Sequence, residues 1–161
     1  MQEGKQSSLP LRDTKRDTLL GRFGILYARL AIGGVFLSAV ADRFGLWGPY
    51  GKHNVSWGNF HSFTVYVAKV NSFLPASWAP ALAWMATAPE FSLGIALIIG
   101  LWPRRVCLAS ATLLAMFGIA MAISFGIESP LSYSVFSASA GALLLGLYST
   151  PSGGGRLFGR R

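Results

Sequence analysis

The stretch from Trp78 to Leu101, WAPALAWMATAPEFSLGIALIIGL, decides the fold class. A helix that crosses a bilayer needs about 20 predominantly apolar residues, and this run supplies them with one charge, Glu90, at its centre directly after Pro89. A charged side chain at that depth costs about 2.5 to 3.5 kcal/mol on insertion scales, so it persists where it faces a partner, a cavity or a bound ligand. Glu90 is therefore the first candidate site residue. Pro89 belongs with it: proline lacks an amide hydrogen and its ring collides with the carbonyl four residues back, so a bend and a freed Met85 carbonyl are expected beside the carboxylate.

Three other stretches approach the same length, Phe23 to Ala41, Val106 to Phe125 and Leu131 to Tyr148, the last being the shortest. With 52% apolar and only 12% charged residues, the chain is too apolar and too charge-poor for an ordinary soluble domain. The net charge of +8 is not the mark of a nucleic-acid groove, because the basic residues cluster at the ends of apolar runs. Lys5, Arg12, Lys15, Arg16 and Arg22 precede the first run, Arg104 and Arg105 separate the second from the third, and Arg156, Arg160 and Arg161 follow the fourth. The positive-inside rule puts all three clusters, and so both termini, in the cytoplasm, which requires an even number of spans. Ala39-Val40-Ala41 imitates a secretory cleavage site, but the run before it is long and contains Arg29, which favours a retained span.

The expected architecture is an all-α integral membrane four-helix bundle. A basic cytoplasmic N-terminal segment (1–22) leads into the transmembrane domain (23–148), and a basic flexible cytoplasmic tail (149–161) follows. Between the first two spans, Trp47 to Gly58 is rich in Gly and Trp and reads as an irregular loop. After it, Phe60, Phe63, Val67, Val70 and Leu74 recur at helical spacing, predicting an extracytoplasmic amphipathic helix that lies on the outer face or caps the bundle. Trp47, Tyr50, Trp57, Tyr66 and Trp78 suit the interface, as anchors without a ligand role.

Membrane helices associate through close backbone approach, so small residues every four positions mark contact faces. Gly118, Ala122 and Gly126 form such a row on the third span, and Ser134, Ala138, Ala142 and Gly146 on the fourth. These two helices are expected to pack tightly. Arg29 is the other charge inside a span, at a depth within about 6 Å of Glu90 on an antiparallel neighbour. Two readings follow, an ion pair with Glu90 or snorkelling to the cytoplasmic headgroups. Helical side chains lean toward their own N-terminus, which carries Arg29 inward to the cytoplasm and Glu90 outward, against the pair.

Several chemistries fall away. His53 and His61 both lie in the outer region, so no intramembrane pair holds a haem, and their spacing is a poor metal signal. Cys107 is the only cysteine, which excludes an intrachain disulfide. No nucleotide-binding or serine-nucleophile motif is present, and no catalytic constellation or cofactor signature is complete within the chain.

Arg29, Gly33, Gly34 and Phe36, the exit Asp42-Arg43-Phe44, the run Glu90-Phe91-Ser92-Leu93-Gly94 through Gly100-Leu101 and the basic turn Arg104-Arg105 together resemble the DoxX family. The resemblance spans roughly Arg22 to Tyr148. It implies a four-helix protein of the bacterial inner membrane, in a group that includes subunits of thiosulfate:quinone oxidoreductase and proteins tied to thiol or oxidative-stress systems. The chain departs from the family pattern at Ala41-Asp42-Arg43, where a glycine and then a lysine are commoner, and in its tryptophan-rich outer loop, which suggests a specialised partner outside the membrane. Two functions are expected on this basis. One is a small redox subunit that holds a quinone or similar molecule near Glu90 and Arg29, with a partner supplying the electron carrier. The other is a non-catalytic subunit packed in the bilayer against other membrane or extracytoplasmic subunits.

Overall fold

Glu90 sits in an unbroken helix. The computed structural model describes residues 11–148, and among these all regular structure is helical: α1 (Leu11–Arg43), α2 (Phe60–Val70), α3 (Ala79–Ile99), α4 (Pro103–Phe125), α5 (Glu128–Ser132) and α6 (Val135–Tyr148), with a short 3-10 turn at Ala76–Trp78 leading into α3. Three helical segments are long and apolar enough to cross a membrane, Leu19–Arg43, Ala76–Ile99 and Pro103–Phe125. Large apolar side chains such as Phe23, Val35, Met85, Ile99, Met116 and Ile123 are exposed on them, the outward-facing surface expected of a multi-pass membrane protein. Residues 1–10 and the basic tail 149–161 lie outside the described residues.

The first and fourth predicted spans differ from expectation. α1 has 33 residues, about 50 Å at 1.5 Å per residue, and so exceeds a hydrocarbon core of about 30 Å. Residues 11–22 of the basic lead are its first turns rather than a separate segment. The fourth run breaks at Ser134, whose φ of +55° is left-handed backbone that a regular helix cannot pass through. What remains is α5, a single turn, and α6 with 14 residues, about 21 Å and shorter than the other three. The join between α3 and α4 is tight for a legible reason: Gly100 ends α3 in the left-handed conformation, which glycine adopts without penalty, and Pro103 opens α4, where its missing amide is no loss.

Packing follows the small residues. α4 and α6 run antiparallel, with Gly118 against the Phe136 ring and Gly146 against Leu108 and Cys107. Between those points Ser139 Oγ donates to the Ala111 carbonyl at 2.8 Å. Ala142 is fully buried, Ala138 packs against the central core cluster, and Ala122 is half-buried. Gly126 and Ser134 do other work: Gly126 (φ +87°) caps the end of α4 in open space, and Ser134 precedes α6. α1 and α3 cross where a Cβ on Gly33 would lie 2.9 Å from the Gly94 carbonyl oxygen, so the two backbones nearly touch. That crossing sets the height at which everything else on α1 meets α3.

The amphipathic segment forms α2, opened by Asn59, whose side chain accepts from the Ser62 amide at 2.8 Å. Phe63, Val67 and Val70 are its buried face, and Phe63 and Val67 pack with Ala83 of α3. Its far end is tied to α4: Ser124 Oγ donates to the Val70 carbonyl at 2.6 Å. Leu74, also expected in this helix, lies beyond its end. α2 therefore bridges from the start of α3 to the end of α4.

Candidate functional site

Thr87 and Glu90 share one seam of α3, in the series Ala79, Ala83, Thr87, Glu90, Gly94 and Leu97 that makes up its buried residues. A step of three or four keeps them on the side facing the rest of the fold. The cation that meets them is Arg43, the last residue of α1. Its Nη1 lies 2.5 Å from Glu90 Oε2, with both side chains almost wholly buried, and it donates a hydrogen bond to Thr87 Oγ1 at 2.9 Å. Thr87 in turn donates to the Ala83 carbonyl at 2.7 Å, which fixes its hydroxyl as the acceptor for arginine.

Arg43 bends inward because of where it sits. Its side chain leans toward the N-terminus of α1 and Glu90 leans toward the N-terminus of α3; as the helices are antiparallel, the two converge. The Phe63 ring closes the third side, its centroid 3.8 Å from the guanidinium carbon, and Trp57 stands at 5.4 Å. A cation over an aromatic face gains most when water is excluded. Two buried side-chain polar atoms remain incompletely bonded among the described residues: Arg43 Nε has no acceptor, and Glu90 Oε2 makes the charge contact without hydrogen-bond geometry.

Asp42, next to Arg43, is spent differently. Its carboxylate accepts from the backbone amides of Ser56, Trp57 and Gly58 at 3.0, 3.1 and 3.3 Å. Three amides on one carboxylate pin the loop between α1 and α2 to the end of α1 and hold Trp57 beside Arg43. Trp47, expected only as an interface anchor, also ties the loop back, its Nε1 donating to the Ser38 carbonyl at 3.1 Å.

Arg29 and Glu90 are not brought together. Arg29 Nε donates to the Leu97 carbonyl at 2.8 Å and a terminal nitrogen to the Ile98 carbonyl at 3.3 Å, so it caps the C-terminus of α3, where a cation complements the helix dipole. It neither pairs with Glu90 nor simply snorkels. Pro89 is half-buried within α3, and Met85, one turn earlier, is exposed, so the carbonyl expected to enlarge a polar pocket belongs to a residue on the outward face. Asp42, Arg43, Thr87, Trp57 and Phe63 are the site residues the sequence pattern did not single out as a set.

Two open grooves border this centre without reaching it. One, of 440 Å³, runs beside α1 along Gly34, Ser38 and Asp42 to Trp47 and Trp57. The other, of 330 Å³, lies over α2 between Tyr50 and Lys69. Neither is lined by Glu90, Arg29 or Pro89. Among the described residues no group of three or more His, Cys, Asp or Glu side chains is placed to hold a metal ion. Compared with known proteins, the chain matches no family model, no curated protein and no solved structure.

Proposed function

We propose that this chain is a DoxX-like multi-pass protein of the bacterial inner membrane, with α6 completing a four-helix unit, both termini in the cytoplasm and α2 on the outer side, and that it acts as a non-catalytic subunit of a larger membrane complex. The observation that carries this reading is the Arg43–Glu90 pair. The intramembrane carboxylate is met by a cation of the same chain, whose guanidinium is covered by Phe63, which suits a charge that locks three helices together. α1 supplies the surface for a partner: only 17% of its apolar window is buried, against 39% for that of Pro103–Phe125, and Gly34 on it has nothing within 4 Å. An exposed glycine on a membrane helix allows the backbone of another helix to come close.

A second reading, a redox subunit holding a quinone, has one observation in its favour. The Arg43 Nε hydrogen, buried and without an acceptor among the described residues, could complete its bonding on a quinone carbonyl. Purification in mild detergent, with mass spectrometry of co-purifying proteins, quinones and lipids, separates the two. The subunit reading expects a stoichiometric membrane protein that is lost on Gly34→Phe. A quinone retained by the native chain, with no such protein, would replace it with the redox reading.

A further inference from the structure

We propose that the groove over α2 is a binding site for a small anion, a phosphate or carboxylate joined to a planar or apolar body. Its floor is the polar face of α2. His61, Ser62, Val65, Tyr66 and Lys69 line it; His61, Val65 and Lys69 are exposed on the side away from the buried Phe63, Val67 and Val70, and Tyr66 packs at the edge of that core. Its wall is the outer loop, through Tyr50 and Trp57. At 330 Å³ it falls at the lower end of small-molecule sites, about 300 to 1,000 Å³.

The wall is preformed rather than adaptable. Asp42 holds the backbone of Ser56, Trp57 and Gly58. Gly58, at φ +62°, presses so closely on the Pro49–Tyr50 peptide that a Cβ there would collide with backbone. Tyr50 and Trp57 are thereby kept in register across the loop, and a rigid site loses less entropy on binding.

The loop and helix that form this surface carry basic groups and no acidic ones. Between residues 43 and 77 the sequence contains no Asp or Glu, yet it carries Lys52, His53, His61 and Lys69. The acid at its edge, Asp42, is buried against amides, and Arg43 is neutralised by Glu90. Lys69 and His61 are eight positions apart, about 12 Å along the helix, so one small anion cannot touch both. The charge belongs at the Lys69 end, with Tyr66 one turn away, and the body of the ligand runs along the aromatic wall. Burial first, and then the neighbouring Tyr133, pushes the Tyr66 phenol up. It stays protonated at neutral pH and can donate to the anion.

This inference does not rest on the subunit reading; the topology proposed above only assigns the groove to the extracytoplasmic side. The same chemistry could come from a soluble solute or from an anionic lipid headgroup. The test is titration of the full-length protein, in nanodiscs of phosphatidylcholine, with phenyl phosphate, inorganic phosphate and phenol, followed by calorimetry. Phenyl phosphate is expected to bind saturably and at least about tenfold tighter than either fragment, and Lys69→Gln to weaken it about tenfold, the loss of one charged hydrogen bond. Lys52→Gln, outside the groove, should change it little. Nanodiscs containing phosphatidylglycerol decide the source: competition assigns the site to a lipid headgroup, and unchanged binding to a soluble anion. Absence of saturable binding, or equal effects of Lys69→Gln and Lys52→Gln, overturns the proposal.

Discussion

Arg29 and Arg43 lie about four turns apart on α1 and lean the same way, yet they meet different parts of α3, its C-terminus and its middle. Arg29 reaches the carbonyls of Leu97 and Ile98, partial charges at a helix end that water can also serve. Arg43 reaches a formal charge, Glu90, at a depth that water does not reach. The residue type and the lean are shared; what differs is what becomes unpaired when the arginine is lost. At the Arg29 end, removal leaves carbonyls that can find another donor. At the Arg43 end, it leaves a buried carboxylate.

The largest expected effect follows directly. Arg43→Gln should destabilise the detergent-solubilised protein by about 3 to 5 kcal/mol, the usual consequence of breaking one side of a buried pair, read as a loss of the folded fraction in a denaturant titration. Arg29→Gln should cost about 1.5 kcal/mol, at the low end for hydrogen bonds from a charged donor because the site is half-exposed. If the two substitutions prove equal, the distinction between the two ends is wrong. Thr87→Val tests the supporting bond to Arg43 and should cost about 1 kcal/mol. Ser139→Ala, at the remote α4–α6 contact, should cost only about 0.6 kcal/mol, the average for a hydrogen bond between membrane helices.

The same comparison shows how much could be read from the sequence. Glu90 was legible because a lone carboxylate in an apolar run has few innocent explanations, and α2 because Phe60, Phe63, Val67 and Val70 keep a helical period. Arg43 was not. It stands where the apolar run ends, and a basic residue at that point usually marks an interface, so nothing local says that it folds back into the bundle. The usable signal was on α3, where Thr87 and Glu90 share a face, combined with the lean rule already counting against Arg29. The break at Ser134 was hidden for a different reason: hydropathy sums over a window, and a single left-handed residue between apolar turns does not change the sum. The row of small residues on α4 and α6 located the contact, but spacing alone could not tell that Gly126 would terminate a helix instead of packing within one.

The central claim is that Glu90 is coupled to Arg43 and independent of Arg29. Two double-mutant cycles, measured as unfolding free energies in one detergent, test it most directly: Arg43→Gln with Glu90→Gln, and Arg29→Gln with Glu90→Gln. Removing both members of a real pair removes the penalty that each single change creates, so the first cycle should show a coupling above about 1.5 kcal/mol and the second one below about 0.5 kcal/mol, the limit for independent sites. A strong coupling of Glu90 to Arg29, with none to Arg43, would contradict the account.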